Sequence, residues 1–555
     1  MKVSKIILIV ILVSSGFCAA RCEATVYHSN GTEANVQALH NIAREGDTIT
    51  LPFGTFSWTS RLEITKGITL KGATTIVGPS PSPTVIDATI IQDNTSRRGS
   101  GVGIIRVGLS SNQSFRLTGI TFNPGSSTTY ANAAINLSSS DASPNTSMRI
   151  DHCHFNRLYQ GKDIFVAGWV YGVADHNVLS CRAVGTSFYI THATYGGTSQ
   201  DFGNGAWADY PWYGTSKFFF IEDNTIEGSG TVQTSGTIDC DHGGRYVLRH
   251  NYFRNAQPSG HGTEGGVPRG MRAYEVYDNI FDWTLTHSGG GQRSGTSLWH
   301  DNTWFGIENS DATHTPLPNY REIGATSSTG GTWGNADGTN PWDVNDTEGS
   351  GTYVEGHRPF SFDSGSDTSS LHSFGVMHDS TKNWMPNRWV GYSIKNTNRN
   401  SVAYRKGSYI TGNTSKTIAY VVYGSTDRGP RYEFNAGDTY EIHRILTQLD
   451  QNGRGKGDQV IGNPPINSTS GTRLWTHEAL EPCFSWNNVH TLSQDVYGYG
   501  SGNPTEIANR DYFNLGAGFP ANTTPAAVSS TYTAARNGVR YFRPYTYPHP
   551  LASQP

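Results

Sequence analysis

An asparagine recurs at one slot of a repeated strand pattern, and that recurrence restricts the fold more than any other feature of the chain. FIEDNTI (220–226), VLRHNYF (247–253), EVYDNIF (275–281) and LWHDNTW (298–304) each alternate like a strand into an Asn, then one more residue and an apolar one. The markers Asn224, Asn251, Asn279 and Asn302 follow one another at steps of 27, 28 and 23 residues. Upstream, RIDHCHF (149–155) puts Cys153 and VADHNVL (173–179) puts Asn177 in the same slot, 24 residues apart. From Asn177 to Asn224 the step is 47, which is two turns or one turn carrying a long insertion. A period of about 20–50 residues means a solenoid or a propeller. These repeats have Gly-, Ser- and Asp-rich connections, no amphipathic helix and no Trp-Asp signature. Stacked parallel strands are therefore expected, each coil covering its neighbour. An Asn in each turn would accept left-handed backbone and hydrogen-bond to the Asn of the next coil. By the same reasoning His176 and His250, which precede markers, read as ladder members. The expected fold is all-β, a parallel β-helix.

Residues 1–24 read as a secretory signal peptide, not as part of that fold. Lys2 and Lys5 precede the apolar run 6–13, and small residues follow up to Ala24. The run is too short to span a bilayer. The product is expected to be secreted, extracellular or periplasmic, with no membrane partner, and to act as a monomer. A formal net charge of −4 with only 15% charged residues excludes a strongly basic nucleic-acid binder. Beyond the signal peptide, Cys153, Cys181, Cys240 and Cys483 occur at neither CxxC nor zinc-ligand spacing. Three of them fall on the repeats as small apolar residues, and a disulfide is not demanded.

EANVQALHNIAREGDTITL (33–51) reads as a short helix followed by a strand. Val36, Leu39, Ile42 and Ala43 share helical spacing, and Gly46 stops the helix. Such a helix would plug the open end of a solenoid. LPFGTFSW (51–58), ITLKGAT (68–74), TVIDATII (84–91) and FRLTGITFN (115–123) follow as strands between Gly and Pro turns. The helix together with EGDTITLPFGTF, GITLKGAT and TVID resembles the opening coils of the pectin-lyase-like superfamily, over about residues 33–305. That resemblance implies a right-handed parallel β-helix and a secreted carbohydrate-active protein.

The β-helix is expected over 25–310, and a loop-rich insertion over 311–373. A small inserted β-module follows over 374–445, with strands at 389–394, 409–413, 417–424 and 438–445. The segment 446–555 is expected to return to the solenoid, through 449–462 and 480–489, and to close its end with an aromatic, Pro-rich cap.

Counting from each marker Asn gathers polar residues onto one face over several coils. The catalytic candidates are Asp239, Asp241, His261, Glu264, Arg269 and Arg272. His192, His242, Arg245, Gln292 and Arg293 are candidates for binding substrate. Coils stack about 4.8 Å apart, so this face would span roughly 15–20 Å, enough for several sugar rings. The insertion between Asn177 and Asn224 contains Trp207, Tyr210, Trp212 and Tyr213. It reads as a loop standing over the same face, its rings offering flat surfaces for pyranose stacking. Two mechanisms fit these residues. Asp239, Asp241 and Glu264 could hold calcium, a hard cation that takes carboxylate oxygens; the ion and an Arg would neutralise a uronate carboxylate while an Arg or His removes the C5 proton. Alternatively, two carboxylates serve as acid and base for glycoside hydrolysis. SGHGTE (259–264) loosely resembles the Gly-His-Gly of polygalacturonase-type hydrolases, but the accompanying Asn-Thr-Asp and Asp-Asp are missing. The expected activity is a polysaccharide lyase on a uronate-containing glycan, with a hydrolase second and a non-catalytic glycan-binding or adhesion protein as the alternative.

Overall fold

The structure is a computed structural model. It describes residues 24–95, 103–125, 133–156, 162–180, 186–197, 203–228, 234–262, 269–285, 290–307, 311–315, 361–370, 374–390, 392–401, 407–420, 433–444, 452–455, 479–493, 497–501, 506, 508–509, 511–516 and 543–554. The signal-peptide expectation, Cys181 and Glu264 lie outside them.

Each coil contributes three short strands, as in Val170–Asp175, Val178–Ser180 and Thr186–Thr191. Strands pair in parallel with their equivalents one coil away, giving three sheets that run the length of a right-handed parallel β-helix. Among the described residues the first sheet has 12 strands, from Val26–His28 to Tyr512–Asn514, and the second and third have 10 each. The register places apolar on apolar. Ile150, Ala174, Ile221, Leu248, Val276 and Trp299 stack in the first sheet. In the second, Phe155, Leu179, Ile226, Phe253, Phe281 and Trp304 do the same. All twelve are buried. Each large side chain so buried contributes about 1.5–3 kcal/mol, which is why a chain with few charges closes this core.

The Asn ladder forms at the corner between the first and second sheets. The Nδ2 of Asn177 donates to Oδ1 of Asn224 at 2.9 Å, and the chain of bonds continues through Asn251, Asn279 and Asn302. Each Oδ1 also accepts the backbone N–H of the preceding marker. The left-handed position is not the Asn itself but the residue before it: His152, His176, Asp223, His250, Asp278 and Asp301 have φ between 50° and 57°. His176 and His250 are thus corner residues outside the ladder. Their backbone makes the turn that lets the Asn point inward.

Asn302 donates to Asn488 at 2.8 Å, 186 positions later in sequence. Thr303 and Trp304 likewise pair with Val489 and His490. The solenoid therefore resumes at 483–490 as though uninterrupted, and a large segment is inserted after the third-sheet strand Asp311–Thr315. The insertion holds a six-stranded antiparallel sheet with its own core around Trp384, Trp389, Ile394 and Tyr440. Its edge strand Asp363–Ser366 falls in the stretch read as loop from sequence. In 449–462, the described part is the short strand Arg454–Gly455, which pairs antiparallel with Ala479–Leu480 instead of adding a coil. Asn452 bonds to Gln292 and Glu506, outside the ladder.

The N-terminal helix spans Glu33–Ile42, with Thr32 as its cap. Val36 is buried, but Ile42 is 63% exposed, because the helix rests on the solenoid end by a narrower stripe than its spacing suggests. Of the segment expected to cap the opposite end, residues 517–542 lie outside the described residues. Residues 543–554 run back along the outside of the first sheet, where Arg249 donates to the carbonyls of Tyr545 and Thr546 and Arg149 to those of Leu551 and Gln554.

Candidate functional site

Alternation along the third sheet decides which side chains leave the core. Phe188 and Ile190 point inward, as do Ile238 and Cys240, so Tyr189, Asp239 and Asp241 emerge on the outer face. The register stacks Phe165, Tyr189 and Asp239 in one row, and Thr191 beside Asp241 in the next. His261 follows on the next coil, its N–H donating to Cys240 O at 2.8 Å, and Arg293 after that, its N–H donating to Gly260 O at 3.0 Å.

These side chains form one electrostatic unit. His261 Nδ1 lies 2.7 Å from Asp239 Oδ2, and His242 Nδ1 lies 2.7 Å from Asp241 Oδ1. The Tyr189 hydroxyl donates to the other oxygen of Asp241. The Lys162 ammonium sits 3.2 Å above the Tyr189 ring centroid and 4.7 Å from that of Phe165. Burial lowers the Lys162 pKa against the pull of Asp241 and Asp239. Burial and the same two charges push the Tyr189 phenol far up, so it stays protonated. Asp241 is held below the carboxylate range: burial opposes this, but His242, the Tyr189 hydroxyl and His261 outweigh it. For His242, burial lowers the pKa, and Asp241 more than restores it, leaving a raised value. The result is two imidazoles, one amine and one phenol arranged over two buried carboxylates.

The sequence candidates divide into two groups. Asp239, Asp241, His242 and His261 meet on this face, and Arg293 follows one coil beyond His261, placed by its backbone N–H on Gly260 O. The others do not. His192 is buried against Tyr171 and Val170 O, and burial pushes its pKa down to about 3. Gln292 lies inside the coil, accepting from Tyr274 and Ser297. Arg245 is buried and donates to the carbonyls of Ala206, Tyr210 and Pro211. Arg272 is fully buried, paired with Glu481 at 2.7 Å, and donates to Asp209 O. Arg269, also buried, lies 4.6 Å from the Trp207 ring. These arginines hold the 192–214 loop. That loop packs where the third sheet turns into the first, and Tyr213 joins Phe220, Val247 and Leu298 on the first sheet's outer face. Trp207 is 1% exposed, with its indole N–H on Gly270 O. Tyr210 and Trp212 are half-buried and packed edge to face, with Lys217 over the Trp212 ring. The aromatics therefore anchor a loop rather than stand over the face, because a Gly-rich insertion of this length needs its own apolar attachment.

Sequence reading missed Lys162 and Tyr189. His192 and Asp239 fall at the same distance from their markers, yet the register pairs Asp239 with Tyr189. The spacing between marker and third-sheet strand changes from coil to coil, so counting drifts.

Of the three carboxylates read as calcium ligands, Glu264 lies outside the described residues, and the other two already have polar neighbours. All four oxygens of Asp239 and Asp241 are engaged, by Cys240 N–H, His261, His242 and Tyr189. A cation taking 6–8 oxygens would have to displace both imidazoles. Among the described residues, no group of three or more His, Cys, Asp or Glu is arranged to hold a metal.

No family model matches the chain, and no curated relative matches it. The resemblance to the pectin-lyase-like superfamily thus rests on its motifs. Among solved structures, the chain is similar to an alginate lyase from Paenibacillus sp. str. FPU-7, with 14% identity and a TM-score of 0.29 over 53% of this chain and 91% of that one. It is also similar to the PL6 family alginate lyase AlyGC, with 15% identity and a TM-score of 0.28 over 53% of this chain and 47% of that one. Likeness at this level fixes neither reaction nor substrate. Among the described residues, no helix is long and apolar enough to cross a membrane.

Proposed function

We propose that this protein is a polysaccharide lyase that cleaves a uronate-containing glycan by β-elimination. The observation that carries the reading is the outer face of the third sheet, where Lys162, His242 and His261 cluster around Asp239 and Asp241, with Arg293 on the next coil. Elimination needs a cation at the uronate carboxylate, so that the C5 proton becomes acidic, and a base placed to take that proton. Arg293 and the His242 imidazolium supply the cations. His261, held by Asp239 through Nδ1, is the base, acting through Nε2. The C5–H electrons form the C4–C5 double bond as the C4–O bond breaks. Lys162, whose lowered pKa suits proton transfer, protonates the departing oxygen. Tyr189 fixes Asp241 and carries Lys162 on its ring.

Hydrolysis fits less well, because the oxygens of Asp239 and Asp241 face Cys240 N–H, His261, His242 and Tyr189 and not an open position for water. The test incubates the protein with uronate-containing and neutral polysaccharides, with and without chelator. Ultraviolet-absorbing unsaturated products, formed in both conditions, are the expected result. Reducing ends without that absorbance would establish a hydrolase. Binding without any product would establish a glycan-binding protein.

A further inference from the structure

We propose that the corner between the first and second sheets carries a separate binding cleft for a neutral sugar unit. The cavity there has a volume of about 440 Å³. One wall is the hairpin formed by Thr75–Val77 and Thr84–Ile86, pinned where Ser80 Oγ lies 2.7 Å from Thr225 Oγ1. The other wall is Tyr547 of the C-terminal segment, whose hydroxyl donates to Asp223 at 2.7 Å and whose ring lies 3.7 Å from that of His250. Asn177 and Asn251 of the ladder form its floor. Three stretches remote in sequence thus build one cavity with hydrogen-bonded walls.

Its chemistry follows from the left-handed corner. That backbone turns His176, Asp223, His250 and Asp278 outward at coil spacing along the cleft. Asp278 has His250 Nε2 at 3.9 Å, beyond hydrogen-bond length, which leaves its oxygens as acceptors. Ile76, Tyr252 and Ile280 add apolar surface beside them. Carboxylate acceptors next to aromatic and aliphatic surface match a pyranose, which offers hydroxyl donors at its edge and C–H groups on its face. A uronate would meet Asp223 and Asp278 as like charges. Burial and Arg249 lower His250 to about 4, so its ring brings no positive charge at neutral pH, and His176, which Asp175 raises, is already paired with that carboxylate. The ligand class is therefore a neutral mono- or disaccharide unit, and the cleft stands whether or not the third-sheet face is a lyase site.

Calorimetric titration of the full chain with lactose, maltose, cellobiose and glucuronate tests this. The variants are Asp278→Gly, which keeps the φ of 53° at no steric cost, and His261→Ala on the other face. At least one neutral disaccharide should bind, weakened about tenfold in Asp278→Gly and unchanged in His261→Ala. The proposal is overturned if no neutral disaccharide binds, if glucuronate binds as well as they do and Asp278→Gly abolishes that binding, or if Asp278→Gly binds the disaccharide like the parent. A melting curve for the Gly variant shows that it is folded.

Discussion

His261 Nδ1 lies 2.7 Å from Asp239 Oδ2, across two adjacent coils of the third sheet. With Nδ1 facing the carboxylate, Nε2 is the nitrogen proposed as base. His261→Ala and Asp239→Asn should each lower turnover of a uronate polymer by about 10²–10⁴-fold, with melting temperatures close to that of the parent. Steady-state rates and thermal melts check this. Full activity in Asp239→Asn would show that the carboxylate does not orient the base.

Lys162 rides on the Tyr189 ring, so the two should fail differently. Lys162→Met removes the proton donor and should cost about 10²-fold in kcat. Tyr189→Phe keeps the ring under Lys162 and removes the hydroxyl on Asp241, so its rate should fall less. A pH–rate profile in which Lys162→Met keeps the parent's alkaline limb would assign that limb to another group.

Arg272 should behave as a structural residue. Its replacement by Ala removes the buried ion-pair partner of Glu481, at a cost of about 3–5 kcal/mol. Denaturant unfolding should show that loss. Loss of turnover without loss of stability, the outcome expected from sequence, would restore Arg272 to the site.

Glu275 gives the fold a pH dependence. It is fully buried beneath the 192–214 loop, where its Oε1 accepts from Gly214 N–H, and burial raises its pKa to about 8. The folded protein thus keeps a proton that the unfolded chain releases near 4.5. Stability from this group is complete below about 4.5 and declines as pH rises to about 8, by up to about 1.4 kcal/mol per unit. Glu275→Gln should flatten that decline and raise the melting temperature at pH 8. An unchanged pH profile of melting temperature would exclude Glu275 as its source.

Asn251 joins two ladder rungs, donating to Ile221 O, Arg249 O and Asn279 and accepting from Asn224. Asn251→Ala leaves those buried groups unmatched and should cost about 3 kcal/mol by denaturant unfolding. A loss below about 1 kcal/mol would mean that apolar stacking alone sets the corner.

The repeat was readable because each coil must present the same residue type at the same corner. Asn224, Asn251, Asn279 and Asn302 therefore announce the β-helix without any long-range information, and Asn488 extends it beyond the insertion. The site was only half readable. Asp239 and Asp241 sit on a strand, where alternation places them, and His261 directly follows the strand of the next coil. Arg245, Arg269, Arg272 and Trp207 look like substrate-binding groups in composition, yet each is spent holding a loop whose path no local pattern specifies. Lys162 and Tyr189 carry no motif.

What the chain determined by itself is the parallel stack: periodic Asn, apolar residues at matching positions, and low charge leave one economical way to bury its strands. Register and loop packing were decided only by the tertiary structure. Because connections between the second and third sheets differ in length from coil to coil, sequence distance from a marker does not equal position on the face. Hydrogen bonds between coils alone set Tyr189 against Asp239, and packing alone separates the arginines that brace a loop from the cations on the outer face of the third sheet.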